Sequence, residues 1–207
     1  MASMVLVDLD DTLYPHRDFM EVMAERWQEI LEEDGVKELV MKIYDEKGRT
    51  YPHLLEDLVK HYGRRLRTAY RLHREFLSVQ DYKLTLYPDA EAILTMPRAK
   101  VIVTNGMPHT QQTKLIALGI DKVFHNVYVC EGSFAKPNPF WLKVAMEEYG
   151  LPGVFVGNDL AVDYPAAKAA GIDFIFVNRT GEQVDLPEGV IEVKDLIEAR
   201  RVIDEQY

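Results

Sequence analysis

The stretch Met4-Val5-Leu6-Val7-Asp8-Leu9-Asp10-Asp11-Thr12-Leu13 decides how the chain is read. Met4 to Leu9 is a short apolar run that breaks into acid, the pattern of a strand buried on both faces of a parallel sheet. Alternation about Leu9 can turn the carboxylates of Asp8 and Asp10 to the same side as the chain leaves the strand. Two carboxylates that close repel, so they need a cation between them or a shared proton. A hard, oxygen-liganded divalent cation, magnesium above all, meets that need. The simpler alternative is a turn whose aspartates cap the next helix. An EF-hand calcium loop starting at Asp8 fails, because its sixth position would be Leu13 and its twelfth Phe19.

Beyond this stretch the periodicity becomes helical. Phe19, Met23, Trp27 and Ile30 share one face among intervening glutamates, and Gly35 is expected to stop that helix. Val36, Leu39, Val40 and Ile43 suggest a second helix, Leu54, Leu55, Leu58 and Val59 a third, and Leu66, Ala69, Tyr70 and Phe76 a fourth. After Tyr87-Pro88, Asp89 reads as the N-cap of a short helix through Leu94. Strands are then expected at 99–104, 126–130, 153–157, 173–177 and 190–192. Helices at about 110–118, 138–149 and 164–170 and at the terminus separate or follow them. The fold class is therefore α/β: a doubly wound parallel sheet, Rossmann-like, built from residues 1–14 and 86–207 and interrupted by an all-helical segment over 15–85.

Composition narrows the partners. With 34 acidic against 24 basic residues the net charge is −10, which argues against a broad nucleic-acid surface. A small phosphorylated molecule remains compatible, since a metal ion and one or two lysines can reverse the field locally. Apolar runs of about five to eight residues are too short to span a membrane. No signal-peptide pattern opens the chain, so a cytoplasmic location is expected. The single cysteine, Cys130, cannot form an internal disulfide. Residues 64–74 hold five arginines, either a solvated helix face or a basic face for an anionic substrate.

In doubly wound folds ligands bind beyond the carboxyl ends of the strands. Those positions carry polar chemistry here. Thr104 and Asn105 could hold a phosphate oxygen or simply form a turn. Lys136, before Pro137, could bind a phosphoryl group as a point charge or lie on the surface. The segment Gly157-Asn158-Asp159-Leu160-Ala161-Val162-Asp163 offers more oxygen ligands, or a plain loop. Four such loops in this order are not expected by chance.

On these residues the chain resembles the haloacid dehalogenase superfamily, which is mostly phosphatases. Asp8, Asp10 and Thr12 match its first motif, Thr104 the second, Lys136 the third and Gly157 to Asp163 the fourth. The helical segment is similar to the cap of one of its subfamilies, and the opening resembles nucleotidase-like and phosphoglycolate-phosphatase-like members. The resemblance implies a magnesium-dependent phosphohydrolase of small phosphomonoesters. Asp8 would be the nucleophile and Asp10 the general acid and base. Thr12, Thr104, Asn105 and Lys136 would bind the phosphoryl group, and Asp163 would support Lys136. The metal would be held by Asp8, the Asp10 carbonyl and either Asn158 or Asp159: register favours the first and charge the second. Asp10 argues against dehalogenation, because a halide leaves without a proton. A phosphomutase, or a non-catalytic phosphate-binding or signalling protein, is the alternative. Tyr14, His16, Arg17 and the Arg64–Arg74 face are candidates for substrate choice, and the protein is expected as a monomer or homodimer.

Overall fold

The computed structural model describes residues 3–49, 51–78 and 82–207. Six strands form one parallel sheet: β1 (Met4–Val7), β2 (Lys100–Asn105), β3 (Asn126–Cys130), β4 (Gly153–Gly157), β5 (Asp173–Val177) and β6 (Ile191–Val193). The spatial order is β3-β2-β1-β4-β5-β6. The chain therefore builds outward from β1 in one direction, returns, and builds outward in the other. The reversal falls between β1 and β4, where Val7 pairs with Val156, and that is where such a sheet opens its ligand crevice.

The central strands are apolar along most of their length because helices cover both faces. On one face Met4, Leu6, Val101, Val103, Phe155 and Phe174 pack against α7 (Phe140–Tyr149) and α8 (Asp163–Ala170) through Leu142, Ala145, Ala166 and Ala167. On the other, α9 (Leu196–Gln206) lies against β5 and β6, with α5 (Glu91–Leu94) packed on it. Burying each such Val, Leu or Phe stabilises the fold by about 1.5–3 kcal/mol. The remaining core helix, α6 (Pro108–Ala117), follows directly from β2.

The chain divides into two compact units, Met1–Pro15 with Thr85–Tyr207, and His16–Leu84. The second holds α1 (His16–Leu31), α2 (Val36–Lys47), α3 (Leu54–His61) and α4 (Leu66–Ser78). Phe19, Met23 and Trp27 are buried as their spacing predicts, and the Trp27 indole N–H donates to the Leu72 carbonyl at 3.2 Å, tying α1 to α4. No helix among the described residues is long and apolar enough to cross a membrane.

Several local expectations are corrected. Strand β1 ends at Val7, not Leu9, because Asp11 adopts a left-handed conformation (φ 60°) that turns the chain, and the Leu13 N–H bonds back to the Leu9 carbonyl. Gly35 does not stop α1. Glu32 does so at φ 54°, and Gly35 instead precedes α2. On α4, Leu66 and Tyr70 are exposed and Leu72 takes the buried position, while the side chain of Phe76 lies outside the described residues. Asp89 does not cap α5. Its carboxylate has stronger partners in the Arg179 guanidinium (3.0 Å) and the first amide of α9, at Leu196 (2.7 Å).

Candidate active site

Asp8 is the first residue past β1, and its N–H still bonds the Val156 carbonyl at 2.9 Å, so its backbone is fixed across the reversal point. Its side chain is buried. It accepts a hydrogen bond from Lys136 Nζ at 2.7 Å, and the same ammonium donates to Asp163 Oδ1 at 2.7 Å. All three groups are withdrawn from water, and Nζ also lies 5.2 Å from the centre of the Phe155 ring. Burial alone would push the Lys136 pKa down, but the carboxylates of Asp163 and Asp8 outweigh it and the pKa is raised. Burial pushes the Asp163 carboxyl up, with Lys136 opposing.

Glycine at 157 makes this approach possible. A Cβ there would stand 2.4 Å from Asp163 Oδ2. The second strand end supplies the grip on Lys136. Asn105 Oδ1 accepts from the Lys136 N–H at 2.8 Å, and Asn105 Nδ2 donates to the Lys136 carbonyl at 3.0 Å. Thr104 is fully buried, and its hydroxyl oxygen accepts from Gln111 Nε2 at 2.7 Å. That arrangement leaves the Thr104 hydrogen to be donated elsewhere. Gly106, at φ 149°, gives Gln111 room, since a Cβ would come within 2.9 Å of its side chain.

Asp10 has an ammonium of its own, from a residue that sequence pattern alone does not single out. Lys114 Nζ lies 2.8 and 3.0 Å from its two carboxylate oxygens, Tyr14 Oη donates to Oδ1 at 2.5 Å, and Gln111 Nε2 donates to Oδ2 at 3.2 Å. A signal for Lys114 and Gln111 is nonetheless present in the composition of α6. A helix that must pack on a sheet offers Thr110, Gln111, Thr113 and Lys114 as buried residues and only Leu115 as a large apolar one. Its inward face is polar because it faces the polar end of the sheet.

The fourth loop separates two adjacent candidates. Asp159 Oδ1 accepts from the backbone N–H groups of Ala161 (2.9 Å) and Val162 (3.0 Å), holding the turn into α8. Asn158 Oδ1 instead accepts from the hydroxyl of buried Thr12 at 3.2 Å, joining this loop to the first. Among the described residues no three His, Cys, Asp or Glu side chains gather as a metal-holding group. The donor set expected from the sequence is the Asp8 carboxylate, the Asp10 main-chain carbonyl and a side-chain oxygen of Asn158 or Asp159. It is all oxygen, which suits magnesium, an ion usually bound by one or two carboxylates with substrate and water completing its shell.

Five of the substrate-choice candidates have partners within their own unit. Tyr14 is buried against Asp10, as above. Within the helical unit, His16 Nδ1 lies 3.0 Å from the Tyr44 hydroxyl and Arg17 pairs with Asp45. Arg64 pairs with Glu33 at 2.6 Å, and Arg71 donates to the Ile30 carbonyl at 3.1 Å. Arg71, on α4, and Arg64, just before it, thus reach the end of α1 and the residues just after it.

A family model for haloacid dehalogenase-like hydrolases matches residues 3–171. A glyceraldehyde 3-phosphate phosphatase from Methanopyrus kandleri is 30% identical, over 94% of this chain and 92% of its own. One of the same description from Methanocaldococcus jannaschii is 27% identical over 83% of each. A HAD-hydrolase from Bacillus subtilis, solved bound to magnesium, shares the fold at 20% identity and a TM-score of 0.69, over 98% of this chain and 99% of its own. With this fold and these relatives the protein is an enzyme, a phosphoric monoester hydrolase. It belongs to the haloacid dehalogenase-like hydrolase family.

Proposed function

We propose that the protein hydrolyses small phosphomonoesters with magnesium, through an aspartyl-phosphate on Asp8. The observation that carries this is the Lys136 ammonium held at 2.7 Å from both Asp8 and Asp163, at the carboxyl ends of the central strands. An Asp8 oxygen attacks phosphorus, the bond to the ester oxygen breaks, and Asp10 gives its proton to the departing alkoxide. Asp10 then takes a proton from water, whose oxygen displaces Asp8 and releases inorganic phosphate. Two Lys136 donors are used by Asp8 and Asp163, so the third is available to a phosphoryl oxygen. The Thr104 hydroxyl and the Asn105 N–H add neutral donors, in a site where burial makes each count for more than in water.

Magnesium, held by Asp8, the Asp10 carbonyl and Asn158, would neutralise phosphoryl charge. We favour Asn158 over Asp159 because the Asp159 carboxylate holds two backbone amides at the turn into α8, whereas among the described residues the Asn158 oxygen accepts only from the Thr12 hydroxyl, at 3.2 Å. The helical unit serves as a cap that selects substrate. Glyceraldehyde 3-phosphate is the first candidate, on the strength of the relatives that carry that description.

Phosphate release should be measured with magnesium from glyceraldehyde 3-phosphate, phosphoserine and a nitrophenyl phosphate. The wild type is expected to hydrolyse at least one, a chelator to abolish the activity and added magnesium to restore it. No release from any of the three defeats the enzymatic assignment. Activity surviving in Asp8→Asn defeats the nucleophile assignment alone.

A further inference from the structure

We propose that Lys114 and Gln111 are positioning residues for proton transfer, setting the plane of the Asp10 carboxylate and its spacing from the phosphoryl-binding Thr104. The inference rests on the function proposed above and assigns roles to two residues outside the four matched motifs.

Lys114 and Gln111 lie three residues apart on α6, so they project from the same face of that helix. Both are buried, whereas Asp10 keeps a side-chain exposure of 13%, as a group open to a reactant must. Neutralising a carboxylate needs only one short contact. Lys114 Nζ instead spans both oxygens, at 2.8 and 3.0 Å, while Tyr14 holds Oδ1 from another side. Rotation of the carboxylate about its last bond would break at least one of these contacts.

Gln111 adds the coupling. Its amide nitrogen reaches both Asp10 Oδ2 (3.2 Å) and Thr104 Oγ1 (2.7 Å), so the proton donor and the phosphate cradle are held by one side chain. Gly106 keeps the room this needs, since a Cβ there would press on three Gln111 atoms at 2.9 to 3.1 Å. Burying an ammonium is expensive, and such a pair is poor evidence for stability as its purpose. Proton transfer in contrast demands a donor fixed within about 0.5 Å, which a single flexible aspartate on a loop does not provide.

The test compares leaving groups. An alkyl phosphate leaves as an alkoxide that needs a proton, whereas nitrophenolate leaves unaided. The ratio kcat/KM for the alkyl ester over kcat/KM for the nitrophenyl ester therefore reports proton donation during formation of the aspartyl-phosphate. In Lys114→Met this ratio should fall about 10- to 100-fold, within the range that general acid catalysis supplies, while the nitrophenyl value stays within about threefold of the wild type. A parallel fall on both esters, or no fall on either, overturns the proposal and leaves Lys114 a purely structural residue. If Lys114→Met does not fold, Gln111→Met keeps the buried ion pair and is read by the same ratio, where an unchanged value also overturns it. A wild type inactive on both esters would instead remove the proposed function itself.

Discussion

The side chain of Asn105 holds Lys136 by its backbone, accepting from its N–H at 2.8 Å and donating to its carbonyl at 3.0 Å. The ammonium of Lys136 is thus placed from both ends: by two carboxylates at its tip and by an amide at its root. Asn105→Ala should lower kcat on the order of tenfold or more, since small misplacements of a catalytic group are costly. Thermal stability should fall only modestly, by about 1 kcal/mol per lost hydrogen bond. Phosphate release and a melting curve check both.

Gly157→Ala should damage stability and activity together. The new methyl group would stand 2.4 Å from Asp163 Oδ2, so either Asp163 leaves Lys136 or β4 shifts. Overpacking of this kind costs about 1–3 kcal/mol. Gly153→Ala is the control, because its new methyl group meets the end of the Leu6 side chain at 2.5 Å, away from the site. It should destabilise without a specific loss of turnover.

Asp163 should make metal-free stability depend on pH in a definite direction. Burial pushes its carboxyl up to about 6, with Lys136 opposing. A carboxyl whose pKa is higher folded than unfolded binds more protons in the folded state between those two values. Its contribution therefore falls as pH rises from about 4 to about 6. Urea unfolding should show the wild type losing on the order of 2 kcal/mol relative to Asp163→Asn across that window. The opposite trend would mean that Lys136 keeps Asp163 ionised throughout.

Cys130 should resist alkylation in the native state. It is buried beside the site, and its thiol is pushed up to about 12, chiefly by burial, with Lys136 opposing and Asp8 and Asp163 adding to the rise. Only the thiolate reacts, so roughly one thiol in 10⁴ is competent at about pH 8 even before access is considered. Iodoacetamide labelling followed by mass measurement, with and without urea, gives the comparison. Rapid labelling of folded protein would contradict it.

Periodicity and chain order make much of the fold and site legible in the sequence. Buried parallel strands are continuous apolar runs, and each here ends where polar chemistry begins, so the sequence alone puts Asp8, Thr104, Lys136 and Asn158 at one sheet edge. The role of α6 cannot be read the same way. Lys114 is one lysine on a helix, and its pairing with Asp10 spans 104 positions of sequence. Asp89 departs from its local pattern for a related reason. Its nearest helix offers a weaker partner than Arg179 and Leu196, which come from the far end of the chain. Asn158 and Asp159 carry interchangeable oxygens in sequence, and only the fold separates their partners: two backbone amides for Asp159 and the Thr12 hydroxyl for Asn158.

The N–H of Tyr87 donates to the carbonyl of Leu13 at 2.9 Å, joining the point where the chain leaves the core unit to the point where it returns. The core unit resumes at Thr85, and every strand of the sheet belongs to it. Topologically, residues 16–84 are a single long loop hung from a closed neck. Such a segment can be lengthened, exchanged or cut back to a short linker with the sheet hydrogen bonds intact. The sheet and its strand-end residues are then inherited as a fixed part, while the inserted helices are free to evolve as an accessory.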